Sequence, residues 1–177
     1  MIRYSARCAA MALMRRTLVL LTVVTMLAAQ PAAAEDLGEK LVGSWRLVSL
    51  KISYVGENTA QNVLGNDPIG RFIYSADRHF VVFIAKNDRK PPQNEADTAG
   101  LVRSMAAYTG TFRIEGDDRA IYTVDGAWNE SFPKEQIRIL RLNGDTLTAT
   151  SPEPQASTFS PGKRFTTFAV FRRERAP

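Results

Sequence analysis

From residue 41 to residue 173 the chain is a succession of short runs rich in Val, Ile, Thr, Tyr and Phe, separated by clusters of Gly, Asn and Asp. This pattern is typical of β-strands joined by tight turns. Asn143-Gly144 is the strongest turn signal, because both residues tolerate positive φ. The runs predict eight strands, at residues 41–54, 70–75, 79–85, 108–115, 119–128, 135–142, 146–150 and 164–173.

Only one stretch has the spacing of a helix. In residues 95–107 five apolar side chains recur at intervals of three and four, which places them near one face of a helix. These side chains are Ala96, Ala99, Val102, Met105 and Ala106. The spacing predicts a short helix that forms a lid or plug between the third and fourth strands.

The number of strands and their short connections favour one fold class. Eight consecutive antiparallel strands can close into an up-and-down β-barrel, which has no free sheet edge and leaves room for one small ligand. We therefore predict an all-β domain over residues 35–177. A sandwich of two sheets would show the same alternation and remains the other architecture that this pattern allows.

The first 34 residues have the layout of a secretory signal peptide. Arg15 and Arg16 form a positive region, residues 17–29 are 13 uncharged residues, and residues 32–34 are all Ala. Thirteen residues are too few to span a bilayer, which needs about 20. We expect cleavage before Glu35 and a periplasmic or secreted mature protein without a membrane span. The alternative is an uncleaved N-terminal anchor.

The charge of the chain belongs mostly to this leader. The formal net charge is +5, but four arginines and no acidic residues lie in residues 1–34. The remaining sequence has 19 basic and 18 acidic residues. Because a nucleic-acid-binding face needs clustered basic residues, we expect no nucleic-acid partner.

Cysteine and histidine are nearly absent. The single cysteine, Cys8, lies in the leader, and His79 is the single histidine. The mature chain therefore has no disulfide and no cysteine nucleophile. A lone histidine without a cluster of other ligands does not make a metal site. We expect neither a metal nor another cofactor.

Polar residues on two neighbouring strands are candidate ligand-binding residues. Gln136 and Arg138 share one face of the sixth strand, and Tyr122 and Trp128 share one face of the fifth. Tyr74 on the second strand is the fifth candidate. If these faces point inward, they suit a small apolar or amphipathic ligand, such as a fatty-acid-sized anion, because Arg holds a carboxylate with a bidentate fork.

Two alternatives stay open at this stage. In the other register of the sixth strand, Ile137 and Ile139 face inward and Arg138 lies in water. Asp125 is the one candidate catalytic residue, because a carboxyl group in an apolar strand could act as a general acid or base. The barrel could then host an isomerase, cyclase or lyase, or it could be a structural module without a ligand.

The sequence also resembles the lipocalins and, more closely, the bacterial and fungal lipocalin-like domain family. The resemblance starts at Gly43-Ser44-Trp45 and continues in order through residues 70–80, 108–114, 136–148 and 168–173. It implies a calycin-type barrel over nearly the whole mature chain. The family has no common activity, so the resemblance implies a fold and not a reaction.

Two structural expectations follow at the ends of this barrel. Trp45 near the start of the first strand can close its narrow end, with Arg172 or Arg173 of the last strand stacked on the indole ring. Arg78 stands where the family has a turn glycine. The hairpin must therefore use another type of turn or hold Arg78 in a strained backbone conformation.

Overall fold

The computed structural model describes residues 36–156 and 162–175. The predicted signal peptide lies outside these residues, and no helix within them is long and apolar enough to cross a membrane. The described elements are α1 (Leu37–Leu41), β1 (Gly43–Tyr54), β2 (Ile69–Tyr74), β3 (His79–Ala85), α2 (Glu95–Arg103), β4 (Met105–Glu115), β5 (Arg119–Ala127), β6 (Glu135–Asn143), β7 (Thr146–Thr150), β8 (Gln155–Ala156) and β9 (Arg164–Arg173).

Eight of these strands form a closed antiparallel barrel. Each strand from β1 to β6 pairs with the next, and β9 pairs with both β7 and β1. The two-residue strand β8 pairs with the beginning of β9. The closure of β9 on β1 confirms the predicted eight-stranded up-and-down barrel and excludes the two-sheet sandwich.

The helix prediction was correct in position but too long. Helix α2 ends at Arg103, and Met105, Ala106 and Ala107 already pair with β3 as the first residues of β4. The backbone hydrogen bonds of this ladder outweigh the helical propensity of Met and Ala. Helix α1 was not predicted, because five residues are too few for a helical period to be visible.

A β-bulge keeps one face of the long first strand inside the barrel. Trp45 and Leu47 are buried at alternate positions, and the pairing with β9 shifts between Leu47 and Ser49. The extra residue changes the alternation, so that Leu50 and Ile52 are also buried. Burial of these side chains, about 25 cal/mol per Å² of apolar surface, is the main stabilising term of the fold.

Trp45 closes the end of the barrel that α1 covers. The ring is fully buried, and Nε1 donates a hydrogen bond to the carbonyl of Leu41 at 2.7 Å. Arg173, not Arg172, packs on the indole ring, and its Nη1 donates to the carbonyl of Val42 at 2.9 Å. Arg172 is exposed to solvent.

Arg78 holds α1 against this end of the barrel. Its φ of 66° is positive, as no other described residue except glycine shows. Nη2 of its side chain lies 2.8 Å from Oδ2 of Asp36 and 2.9 Å from Oε1 of Glu39. A Cβ on Gly38 would lie 1.3 Å from Nη1 of Arg78, so a glycine lets the guanidinium approach α1. The expected strain at Arg78 is therefore accompanied by contacts to α1.

Candidate ligand cavity

A cavity of about 80 Å³ lies inside the barrel, in the half away from Trp45. Its walls are mostly apolar, with a few polar groups on one side. A cavity of about 150 Å³ accommodates benzene, so this volume suits a smaller ligand or several waters. The lining residues are Leu50, Phe72, Val82, Ile84, Ala106, Tyr108, Tyr122, Phe132, Pro133, Gln136, Arg138, Ala149, Gln155, Ala156, Phe165, Thr167, Ala169 and Phe171.

Arg138 is the cationic group of the cavity. The pairing of β6 with β5 places it opposite Ala120 and turns its side chain inward. Nη1 donates to the carbonyl of Ile137 at 2.8 Å, and Nη2 donates to Oε1 of Gln136 at 2.5 Å. Burial lowers the pKa of the guanidinium, while the neighbouring Tyr108 and Tyr122 raise it. Arginine keeps its charge in proteins, so the cavity contains a cation.

Gln136 lies next to this cation. It is 4% exposed and stands opposite Tyr122 in the β5–β6 ladder. Its Oε1 accepts from Arg138, which leaves Nε2 directed elsewhere. This nitrogen is buried and has no hydrogen-bond partner within the described residues. A buried donor without a partner costs about 1–3 kcal/mol, so a ligand that accepts from it gains affinity.

Three tyrosines surround the polar side of the cavity: Tyr74 and Tyr122 are buried, and Tyr108 is partly buried. The hydroxyls of Tyr74 and Tyr122 are 2.6 Å apart, and Tyr122 and Tyr108 line the cavity while Tyr74 lies behind them. Burial raises the pKa of all three phenols. They therefore stay protonated at neutral pH and act as hydrogen-bond donors rather than as general bases.

Trp128 is not among the lining residues. Its Nε1 donates to the carbonyl of Val102 at 3.1 Å, which ties α2 to the segment between β5 and β6. Its ring is 4.9 Å from that of Phe132, which lines the cavity and contacts Tyr108 at 4.5 Å. Trp128 thus reports on the cavity through Phe132 without touching it.

Asp125 lies outside the cavity. The pairing of β4 with β5 passes from Thr109–Gly126 to Gly110–Val124, so Asp125 is the extra residue of a β-bulge. It is exposed, whereas Tyr122 and Val124 are buried. No described residue that lines the cavity carries a carboxyl group.

His79 is also on the surface, with Nδ1 3.2 Å from Oδ2 of Asp77. In the described part of the chain, no three His, Cys, Asp or Glu side chains come together in an arrangement that could hold a metal ion.

The structure adds Tyr108, Phe132 and Gln155 to the candidates from the sequence. Oε1 of Gln155 is 3.5 Å from Nη2 of Arg138, and its Nε2 donates to Oγ of Ser151 at 3.0 Å. The position of Tyr108 in a predicted strand was the one available signal. Gln155 lies in a two-residue strand, which is too short to recognise from alternation.

An eight-stranded antiparallel barrel with a small interior cavity defines a calycin-type fold. A family model described as the lipocalin-like domain matches residues 42–174. The chain therefore belongs to the lipocalin-like domain family, as its sequence motifs indicated. A comparison with curated proteins found no match.

Proposed function

We propose that the protein is an exported lipocalin-like protein that binds a small hydrophobic or amphipathic molecule inside its barrel. The observation that carries this proposal is the interior cavity, where apolar walls surround a few polar groups. Such a combination is typical of ligand sites, because apolar contact supplies affinity and convergent polar groups supply orientation. The cavity belongs to the fold and needs no contribution from a second chain.

The volume of the cavity limits the ligand. Pockets for drug-sized ligands have about 300–1,000 Å³, well above the 80 Å³ found here. A long fatty acid therefore requires the mouth of the barrel to widen, whereas a compact molecule fits without rearrangement. This favours a smaller ligand than the fatty-acid-sized anion expected from the sequence.

Export is supported by the composition of the first 34 residues, with Arg15 and Arg16 before an uncharged stretch and three Ala residues before Glu35. We expect intact-mass analysis of protein from an exporting host to show a chain that begins at Glu35. An unprocessed protein that stays in the cytoplasm would contradict export and leave ligand binding to be judged by itself.

Ligand binding is tested by native mass spectrometry of the purified protein and by titration with a panel of small apolar and amphipathic molecules. Trp128 provides a fluorescence signal, because it packs on Phe132 at the cavity. We expect dissociation constants in the micromolar range.

Ala149→Leu is the informative variant. Ala149 lines the cavity and is buried, so the larger side chain fills the space that a ligand needs. The control is Thr148→Leu, which adds bulk to the other face of the same strand. We expect loss of binding in the first variant only. No binding to the wild-type protein by any member of the panel contradicts the proposal.

A further inference from the structure

The charge of Arg138 is uncompensated in the described structure. No carboxylate within residues 36–156 and 162–175 lies within 4.0 Å of its guanidinium, which contacts only neutral oxygens of Ile137, Gln136 and Gln155. A guanidinium has five N–H donors, so these contacts leave part of the fork free. Arg138 is only partly exposed, and a partly desolvated charge without a counter-ion beside a cavity favours an anion there.

Two further donors belong to residues that line the same cavity. Nε2 of Gln136 is buried without a partner, and its direction is fixed because Oε1 is held by Arg138. Tyr108 lines the cavity, and its hydroxyl forms no hydrogen bond to another described residue. Each of these groups can donate to an oxyanion, while the hydroxyl of Tyr108 can also accept.

The charge of Arg138 and the apolar walls of the cavity indicate the chemical class of the anion. Arg138 is the only charged side chain among the described lining residues, which matches a single negative charge. The N–H groups of Arg138 that these contacts leave free can form charge-assisted hydrogen bonds to a carboxylate. The remaining walls, formed by residues such as Leu50, Val82 and Ile84, are apolar.

We infer that the cavity selects a compact aliphatic monocarboxylate, with its carboxylate on Arg138 and Gln136 and its short tail against the apolar walls. This inference rests on the proposed ligand-binding function and adds the chemical class of the ligand. The small volume sets the upper limit on the tail: because the cavity is smaller than the one of about 150 Å³ that accommodates benzene, it suits a carboxylate with one or two tail carbons.

The test is isothermal titration calorimetry at pH 7 with propanoate and its neutral analogue propanamide. We expect the carboxylate to bind at least tenfold more tightly than the amide. Propanoate should bind about fourfold more tightly than acetate, because it buries one more CH₂ group. Octanoate should gain nothing further, because its tail exceeds the cavity.

Variants of Arg138 test whether this residue binds the carboxylate of the ligand. Arg138→Met should weaken propanoate binding about 10- to 100-fold and propanamide binding less than about threefold. Arg138→Lys keeps the charge but presents fewer N–H donors, so its affinity for propanoate should lie between those of the wild type and Arg138→Met. Arg141→Met removes the same charge from an exposed position of the same strand and should change neither affinity. Circular dichroism establishes that each variant is folded. The comparison of the carboxylate with the amide on the wild-type protein tests the same inference without any variant.

A second readout is the side-chain amide of Gln136 in ¹H–¹⁵N spectra, which should shift with the carboxylate and not with the amide. If carboxylate and amide bind equally and Arg138→Met changes neither, ligand binding stands and the anionic class is overturned. If neither compound binds and the broader panel also fails, the ligand-binding function and this inference are both overturned.

Discussion

The guanidinium of Arg173 lies over the indole ring of Trp45, with 4.1 Å between Cζ and the centroid of the ring system. The two residues are also Cα partners in the ladder that joins β1 to β9. The stacking therefore lies at the seam where the barrel closes, and it joins the first strand to the last at the end that α1 covers.

Trp45→Ala should lower the free energy of unfolding by about 3–5 kcal/mol, because it removes a fully buried large ring and its bond to Leu41. Urea denaturation followed by circular dichroism measures this loss. Val48→Ala, at a position 40% exposed on the same strand, is the control and should cost far less. A loss below about 1 kcal/mol for Trp45→Ala would contradict the buried position of the ring.

At Arg78 we expect the usual order of stability of Gly and Ala variants to be reversed. Replacing an ordinary residue by Gly destabilises a protein more than replacing it by Ala. At the positive φ of Arg78, we expect Arg78→Gly to be more stable than Arg78→Ala by about 1 kcal/mol, since Ala keeps the strain of the left-handed conformation. Both variants lose the ion pairs to Asp36 and Glu39. The difference between their stabilities therefore reports the backbone strain at residue 78 alone. Thermal denaturation of the two variants measures this difference in stability. A more stable Arg78→Ala variant would contradict the positive φ at this turn.

The hydroxyls of Tyr74 and Tyr122 should show strong coupling. Either single substitution to Phe leaves one buried hydroxyl without its partner and should cost about 1–3 kcal/mol. The double variant removes both polar groups and should cost less than the sum of the two single variants. Urea denaturation of all four proteins completes the cycle. Additive losses would mean that the two hydroxyls do not pair in solution.

The contacts of Glu174 should make the free energy of unfolding depend on pH. Its carboxylate accepts two hydrogen bonds from Arg71, at 2.6 and 3.0 Å, and one from Ser44 at 2.7 Å. These contacts hold the pKa of the Glu174 carboxyl below its usual value. The native state therefore favours the ionised form, so the contribution is present at neutral pH. It starts to decline near the ordinary pKa of about 4.3 and is lost as pH falls through the lowered value.

We accordingly expect Glu174→Gln to have a lower Tm than the wild type at pH 7, with the difference vanishing in acid. High salt should also reduce it, because the pair is partly exposed. Glu153→Gln is the control, since Glu153 is exposed and has no ion pair among the described residues. A difference in Tm that stays constant from pH 7 to pH 3 would contradict the ionic origin.

The barrel could be predicted from the sequence because the local signals agree with one another. Alternating apolar residues mark the strands, and Asn143-Gly144 marks a hairpin that the structure has between β6 and β7. The error at Met105–Ala107 arose because Ala and Met favour a helix when a strand partner is not visible. Pairing with Phe83 and its neighbours in β3 is a long-range property that local periodicity does not contain.

The candidate site was less predictable, and β6 shows why. Its alternation offers two inward faces, one with Gln136 and Arg138 and one with Ile137 and Ile139. Hydrophobicity alone favours the isoleucines, yet the register with β5 turns the polar pair to the interior. The face is set by the position of Tyr122 opposite Gln136, and therefore by the tertiary arrangement.

The pairing of β9 with both β1 and β7 has a consequence for folding during synthesis. Until residues 164–173 have emerged from the ribosome, β1 and β7 each keep an unpaired edge, because both pair with β9. A nascent chain therefore has no closed barrel before its last strand is synthesised, and the walls of the interior cavity are complete only after β9 has paired with both of its neighbours.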